Sequence, residues 1–278
     1  MNLTALRTFL VIVESGNLNK AAERLNVTQS TVTARLDALE ANLGQQLLVR
    51  SRKGAQLTRA GFIFRPYAET LIRGWEQSQN AVGLPKGYSG IFSFACEYGL
   101  WESVGKKLFD QIRIEHMELA HEAWPGSPDE IATWLANGLT DAALTMEPVT
   151  GYRLISLEAT RERLVLVTSN ADVKWGDNFD YIHVDLGPEF RRQYANETGF
   201  ETRAAVTYAS SSWALDHLLY EGGSAYMPMQ SIAKMLEKGT LRTVSGAPEL
   251  SRGVYFTIRE ANQTRFPWLE NFETWLSI

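Results

Sequence analysis

Apolar residues recur every three or four positions through the first 82 residues, and in short runs broken by polar turns thereafter. That pattern predicts a helical head followed by an alternating α/β body. Leu3, Leu6, Phe9, Leu10 and Val13 mark a first helix that Gly16 stops, and Leu18, Ala21, Ala22 and Leu25 give a short second helix one apolar face. Asn26 and Val27 make the turn. Thr28 is placed as an N-cap, its hydroxyl available to an amide of the next helix, whose buried stripe is Val32, Leu36, Leu39 and Leu43. This leaves Thr28, Gln29, Ser30, Thr31, Thr33 and Arg35 at or near the outward leading edge of that helix, a set of short donors and acceptors. In a helix-turn-helix the same edge enters the major groove and reads base edges. An ordinary helical hairpin with a solvated face fits the spacing alone equally well.

The residues that follow weigh against the hairpin. QQLLVRSRKGAQLT reads as two short strands around Ser51 to Gly54, with Arg50, Arg52 and Lys53 at or near the tip, where a basic wing would meet phosphate or the minor groove. Thr58 caps a long helix reaching about Val82, in which Phe64, Ala68, Leu71, Trp75, Ser78 and Val82 alternate spacings of four and three. This is a heptad seam, and it predicts a dimerisation helix. Pro66 inside it predicts a kink or a restart.

Charge sharpens the division. The 278 residues carry a net charge of −5, yet the first 82 hold ten Lys and Arg against six Asp and Glu, and the remainder seventeen against twenty-six. A basic head on an acidic body suits a DNA-binding unit attached to a module that stays off DNA. Cys96 is the single cysteine, so no intramolecular disulfide forms and a reducing compartment is expected. Arg7 and Glu14 interrupt the first helix, so no export signal is read there, and no run approaches a membrane span. The expected location is the cytoplasm, with no membrane partner.

Three helices, a wing and a long helix, carrying Ala21-Ala22, Thr28-Gln29, Leu39-Glu40, Leu43-Gly44, Leu47, Arg50 and Leu57-Thr58-Arg59-Ala60-Gly61, closely resemble the LysR-type transcriptional regulators. The chain differs from the usual family pattern at Ser30, Thr33, Ala34 and Leu48, where proline, serine, arginine and phenylalanine are common. Pro66-Tyr67-Ala68-Glu69-Thr70, Leu100-Trp101-Glu102 and Gly187-Pro188-Glu189-Phe190 look most like the HdfR branch. The implied fold class is α/β: a winged helix-turn-helix over 1–61, a dimerisation linker helix and hinge over 62–86, and two Rossmann-like lobes of the periplasmic-binding-protein type over 87–278. Lobe 1 is expected at about 87–162 and 254–278, lobe 2 at about 163–253. The resemblance also implies a homodimer or homotetramer, double-stranded operator DNA as partner, and a small-molecule effector in the inter-lobe cleft.

Gly83 to Gly90, rich in glycine and proline, reads as the linker. Beyond it, strands are predicted at Ile91 to Cys96, Ile114 to Ala123, Asp141 to Thr145, Leu164 to Thr168, Tyr181 to Asp185, Thr202 to Thr207, Ser224 to Met227 and Val254 to Arg259, with helices between and a last helix from Pro267 to Leu276. Such alternation predicts parallel sheet. Ligands in open α/β sheets sit beyond the carboxyl ends of the strands, which nominates Glu97, Tyr98, Trp101, Trp124, Ser127, Asp185, Ser210, Ser211 and Met227. Ser127 is expected to cap its helix and leave amides free for an anion. Glu97, Tyr98 and Trp101 stand where organic-acid binders of the family tend to offer serine or threonine, so a cationic or neutral effector, or none, stays open. Cys96 is read as a small buried side chain. His116 and His121 are placed in one strand facing opposite sides, and neither they nor His183 and His217 pair as metal ligands. No catalytic constellation, metal site or cofactor is expected. A ligand-binding or enzymatic α/β protein with an incidental helical head, and a constitutive DNA binder with an empty cleft, stay open as alternatives.

Overall fold

A computed structural model describes residues 2–51, 54–84, 86–170, 173–176, 180–198 and 204–269. They form two compact units, Met1–Pro85 and Lys86–Ile278.

In the first unit each helix is bounded by the residue types its sequence offers. Asn2 Oδ1 accepts the amides of Thr4 and Ala5 to start α1 (Leu3–Ser15), and Gly16, at φ 64°, ends it. Asn17 does the same for α2 (Leu18–Arg24) before Asn26, also at positive φ, turns the chain. Thr28 Oγ1 accepts the Thr31 amide at the head of α3 (Gln29–Leu43). Leu6, Phe9, Ile12, Ala21, Ala22, Val32, Leu36 and Leu39 make the core. Two expectations change here. Leu43 is 41% exposed, because the helix has by then run past the end of α1, and Ile12 fills the core where Leu10 and Val13 are only half-buried.

Strands β1 (Leu48–Ser51) and β2 (Gly54–Leu57) pair antiparallel as the wing, Leu48 opposite Leu57 and Arg50 opposite Ala55. The Ala55 amide donates to Gly16 O at 2.8 Å, docking the hairpin on the end of α1. Thr58 then caps α4 (Arg59–Val82), donating to Gln46 O while accepting the Gly61 amide. The helix runs through Pro66 without restarting, since that residue lies on the exposed side and one missing donor does not outweigh the packing of its other face. The predicted seam is divided. Ala68 is fully buried and Phe64 packs on Phe9 with ring centroids 5.7 Å apart, so these two belong to their own unit's core and not to a dimer seam. Leu71, Trp75 and Val82 are exposed, joined on the same helix by exposed Phe62, Ile63 and Tyr67.

The second unit begins with a parallel sheet. β3 (Gly90–Glu97) lies between β4 (Leu119–Gly126) and β5 (Ala142–Thr145), with a π-helical turn (Trp101–Gly105), α5 (Lys106–Glu115) and α6 (Pro128–Asn137) as connections. Sequence periodicity misses what comes next. β6 (Leu154–Thr168) starts ten residues before the predicted Leu164, because the charged run Thr160 to Arg163 does not look like a strand. β11 (Leu250–Arg259) lies antiparallel to both β5 and β6, so the sheet is mixed rather than parallel.

The remaining elements are β7 (Ile182–Val184), α7 (Pro188–Thr198), β8 (Val206–Tyr208), α8 (Ser211–Tyr220), β9 (Ser224–Pro228), α9 (Met229–Glu237), β10 (Arg242–Thr243) and α10 (Glu260–Arg265). β9 and β10 both pair with the far half of β6, and β7 pairs with β8. Of the predicted strand Thr202 to Thr207, residues 202–203 lie outside the described residues, as do 270–276 of the predicted last helix.

Two cores result. Phe92, Phe94, Leu108, Leu144, Phe256 and Phe266 belong to one, and Leu166, Phe190, Leu218, Tyr226 and Leu250 to the other. β6 and β11 pass through both, and their register slips between Val254 and Tyr255 where they cross from one to the other. His116 ends α5 and stacks on Trp268 at 4.3 Å, so it does not share a strand with His121. The strand expected from Ile114 starts only at Leu119, and Ile114 and Met117 are exposed. No helix among the described residues is long and apolar enough to cross a membrane.

A Cβ on Gly61 would stand 2.0 Å from Leu47 O and 2.9 Å from Leu57 Cδ2. Gly61→Ala in an open helix would add about 1 kcal/mol; here it is expected to cost about 1–3 kcal/mol through overpacking. The readout is faster hydrogen exchange at the buried Leu36 and Leu39 amides. Unchanged protection would mean that the first turn of α4 has room to shift.

Candidate functional site

The leading edge of α3 is built around its cap. Thr28 Oγ1 lies 2.9 Å from Ser30 Oγ and 2.8 Å from Thr31 Oγ1, so a chain of three hydroxyls holds the first turn. Thr28, Gln29 and Ser30 are exposed, while Thr31, Thr33 and Arg35 are half-buried. The Thr31 hydroxyl is thus committed to the cap, and Gln29 is the long polar side chain that projects freely from the first turn. Arg35 has no carboxylate partner among the described residues.

The wing is joined to this helix by a residue whose part the sequence did not reveal. Glu40 Oε1 accepts the amides of Leu47 (2.7 Å) and Leu48 (3.1 Å), fixing the start of β1 against α3. Arg50 closes on the same helix, paired with Asp37 and, at 3.4 Å, with Glu40. Its guanidinium therefore positions the wing in this state, in place of the free phosphate contact expected of it. Arg52 and Lys53, the other nominated wing cations, lie outside the described residues.

In the second unit a cavity of about 350 Å³ opens beyond the ends of β3 and β4. Glu97, Tyr98 and Trp101 line it from the first strand, Trp124 from the second, and Ser210 and Ser211 from the start of α8, so six nominated residues meet there. Ser212 lines it beside them, and so do Cys96 and Glu102, which the strand-end rule does not single out as ligand contacts; Glu102 lies on the π-helical turn, a geometry that spacing does not announce. Three nominations fall elsewhere. Ser127 donates its hydroxyl (2.7 Å) and its amide (2.9 Å) to Glu130 in a capping box, leaving that amide unavailable to an anion. Asp185 is held by Arg191 at 3.1 Å and by the Gly187 amide. Met227 is fully buried in the second core because β9 pairs with β6 on its inner side.

Glu97 is the buried ionisable group of the cavity, 8% exposed, with Oε2 accepting the Met146 amide at 2.7 Å. Burial raises its carboxyl above the usual range, against the lowering effect of that amide and of Arg252. Burial also pushes the Cys96 thiol far up, which makes it an inert packing group.

Behind the cavity lies Arg252, 1% exposed. Its Nε and Nη2 reach Glu162 Oε2 at 2.7 and 2.6 Å, Nη1 donates to Leu186 O at 3.1 Å and contacts Met146 Sδ at 3.4 Å, and Nη2 donates to Gly99 O at 3.1 Å. Glu162 is equally buried, and its Oε1 has no partner among the described residues. One guanidinium so joins the loops after β3, β5 and β7 to the point where β6 and β11 cross between cores.

Residues 3–62 match the bacterial regulatory helix-turn-helix proteins of the lysR family, and residues 87–276 match the LysR substrate binding domain. The chain is 29% identical over 258 residues to the HTH-type transcriptional regulator HdfR of Escherichia coli O139:H28, covering 92% of this chain and 91% of that one. Among solved structures it is similar to CbnR, a LysR family transcriptional regulator, with TM-score 0.75, 21% identity and coverage of 99% and 98%. Vibrio fischeri DarR in complex with DNA is similar at TM-score 0.55, 20% identity and coverage of 94% and 93%.

Glu162→Ala would leave the Arg252 guanidinium buried without a counter-charge, and is expected to cost about 3–5 kcal/mol. Glu162→Met combined with Arg252→Met removes both charges at similar volume and should recover most of that loss. Chemical denaturation of the three variants checks it; a double variant no more stable than Glu162→Ala would show that the pair's geometry, and not its charge balance, holds the crossing.

Proposed function

The chain belongs to the LysR family of bacterial transcriptional regulators, and on that premise we propose that it reads operator DNA with the first turns of α3 and its wing, as a dimer or tetramer that answers to a small molecule in the cavity beyond β3 and β4. It is a regulator and not an enzyme, as its relatives are. The observation that carries the reading is the leading edge of α3, where the hydroxyls of Thr28, Ser30 and Thr31 hold the cap and Gln29 projects beyond them.

A glutamine offers a donor and an acceptor together, which suits the N6 and N7 edge of adenine. Arg35, one turn and a half further along and without a carboxylate partner among the described residues, suits a guanine edge or a phosphate. Arg52 and Lys53 are assigned to phosphate or the minor groove from their place in the wing sequence. Arg50 is given a second part: it holds the wing to Asp37 and Glu40, and exchanges those carboxylates for phosphate only when DNA arrives. DNA-bound relatives by fold, DarR and full-length CbnR with its target DNA, support the DNA partner. Operator DNA places the protein in the cytoplasm.

The exposed apolar residues of α4, Leu71, Trp75 and Val82 with Phe62, Ile63 and Tyr67, are assigned to subunit pairing. Burying side chains of this size contributes about 1.5–3 kcal/mol each, and leaving them in water gives no such return. Phe64 and Ala68 are not part of this surface.

Gln29→Ala is expected to lower specific affinity by about 1–3 kcal/mol while leaving non-specific retention unchanged. Arg52→Ala with Lys53→Ala should weaken both alike and lower the salt slope by about one unit per lost phosphate contact. Gel retention on operator and scrambled DNA across a salt series separates the two; indistinguishable profiles would sink the division of labour. Leu71→Glu with Trp75→Glu should give monomers by light scattering, and an unchanged mass would remove α4 from the interface.

A further inference from the structure

We propose that the cavity beyond β3 and β4 takes an organic cation, an ammonium bound by the Glu97 carboxylate among the rings of Tyr98, Trp101 and Trp124. This rests on the reading of that cavity as the effector site and adds the chemical class of its ligand.

Charge comes first. Glu97 and Glu102 line the cavity, and among the described residues no lysine, arginine or histidine does. A second cavity of about 220 Å³ shares Glu97 and adds Asp129 and Glu147, again without a basic side chain in its lining. Arg252 lies close by and its charge lowers the Glu97 carboxyl, but its N–H donors are taken by Glu162 and three other acceptors, so it offers none to an anion. The one feature favouring an anion is the start of α8 at Ser211 and Ser212, equivalent to about half a positive charge. Set against it are the carboxyl groups of Glu97 and Glu102, which make the lining acidic.

Geometry points the same way. Glu97 uses one carboxylate oxygen on the Met146 amide, and its other oxygen accepts no hydrogen bond from the described residues. A cavity-lining carboxylate whose second oxygen stays open to solvent can take a charge-assisted hydrogen bond from an ammonium. The three rings supply the electron-rich faces that quaternary and primary ammonium groups prefer. Trp124 is oriented by its Nε1 donating to Glu122 at 3.2 Å, and Trp101 by packing on Phe109 at 5.8 Å. Both ring positions are therefore set before any ligand arrives. Trp101 and Glu102 also open the π-helical turn, a departure from α geometry that recurs at functional sites. Burial, which raises the Glu97 carboxyl, is relieved by a bound positive charge, so ligand and ionisation favour one another.

The full-length chain is titrated by calorimetry with phenethylammonium, choline and putrescine, and with 3-phenylpropionate and 2-phenylethanol as anionic and neutral counterparts. At least one cation is expected to bind saturably, roughly tenfold or more tighter than both counterparts, the scale of one hydrogen bond to a charged group. Glu97→Gln should weaken that cation by a similar factor with its thermal transition retained. Trp124→Leu, at a ring open to solvent, gives the same test should Glu97→Gln fail to fold. Preference for 3-phenylpropionate, or cation affinity unchanged in both variants, overturns the proposal while an effector cavity survives. No binding by any of the three cations also overturns it, and the DNA-binding reading, measured separately by operator retention, is untouched by that result.

Discussion

Arg252 has no route to water, and the geometry of the ligand-binding unit follows from that. An ion of this size taken out of solvent costs several kcal/mol even after the surroundings relax. The cost is met only where each N–H finds an acceptor. Arg252 finds them on Glu162 of β6, Gly99 after β3, Met146 after β5 and Leu186 after β7. Moving any of these segments alone strips a buried donor. The segments after β3, β5 and β7 are thus fixed to one another near the place where β6 and β11 pass between cores and slip register. Glu189 reinforces the same crossing, accepting the Gly253 amide at 2.8 Å and pairing with Arg161. A hydrophobic pair would pack as well, but it would not specify which loops meet.

The head unit solves a smaller form of the same problem with Glu40. Two amides at the start of β1 would otherwise be left without partners as the chain leaves α3, and one carboxylate takes both. The wing angle is thereby referred to the helix that reads DNA. Arg50 then balances Glu40 and Asp37 across the same gap. A wing cation placed in this way is restrained by its own helix, which would lower the entropy lost if, as proposed, phosphate replaces carboxylate.

What was legible in the sequence were the features that short-range chemistry decides. Thr28, Thr58 and Ser127 cap helices because a hydroxyl oxygen within three residues reaches a free amide, and no tertiary contact is needed. Strand ends around Glu97 and Trp124 were found for a similar reason, since ligand position follows chain direction in an open sheet. What depends on long-range packing was hidden. The run Thr160 to Arg163 looks like a solvated loop until Arg252, ninety residues away from Glu162, supplies the buried counter-charge. Leu43 and Phe64 fit a period but not their assigned surface, because a period gives a face and not the partner that covers it. Met227 sits one register step inside a strand whose outer neighbour only the fold reveals.

A ligand changes the balance between two conformations only by as much as its affinity differs between them. A molecule that touched β3 and β4 alone would bind the same however the second core was set, and would transmit nothing. Here the cavity takes Glu97, Trp101 and Trp124 from one side and Ser210 to Ser212, at the head of a helix rooted in the second core through Ala214 and Leu218, from the other. Its occupant meets both, so its binding depends on their separation. A change of conformation that keeps the acceptors of Arg252 in place would be the less costly one, since losing any of them strips a buried donor. On the proposed reading, coupling of about 1–3 kcal/mol would be enough for such a site to act on DNA binding without unmaking either core.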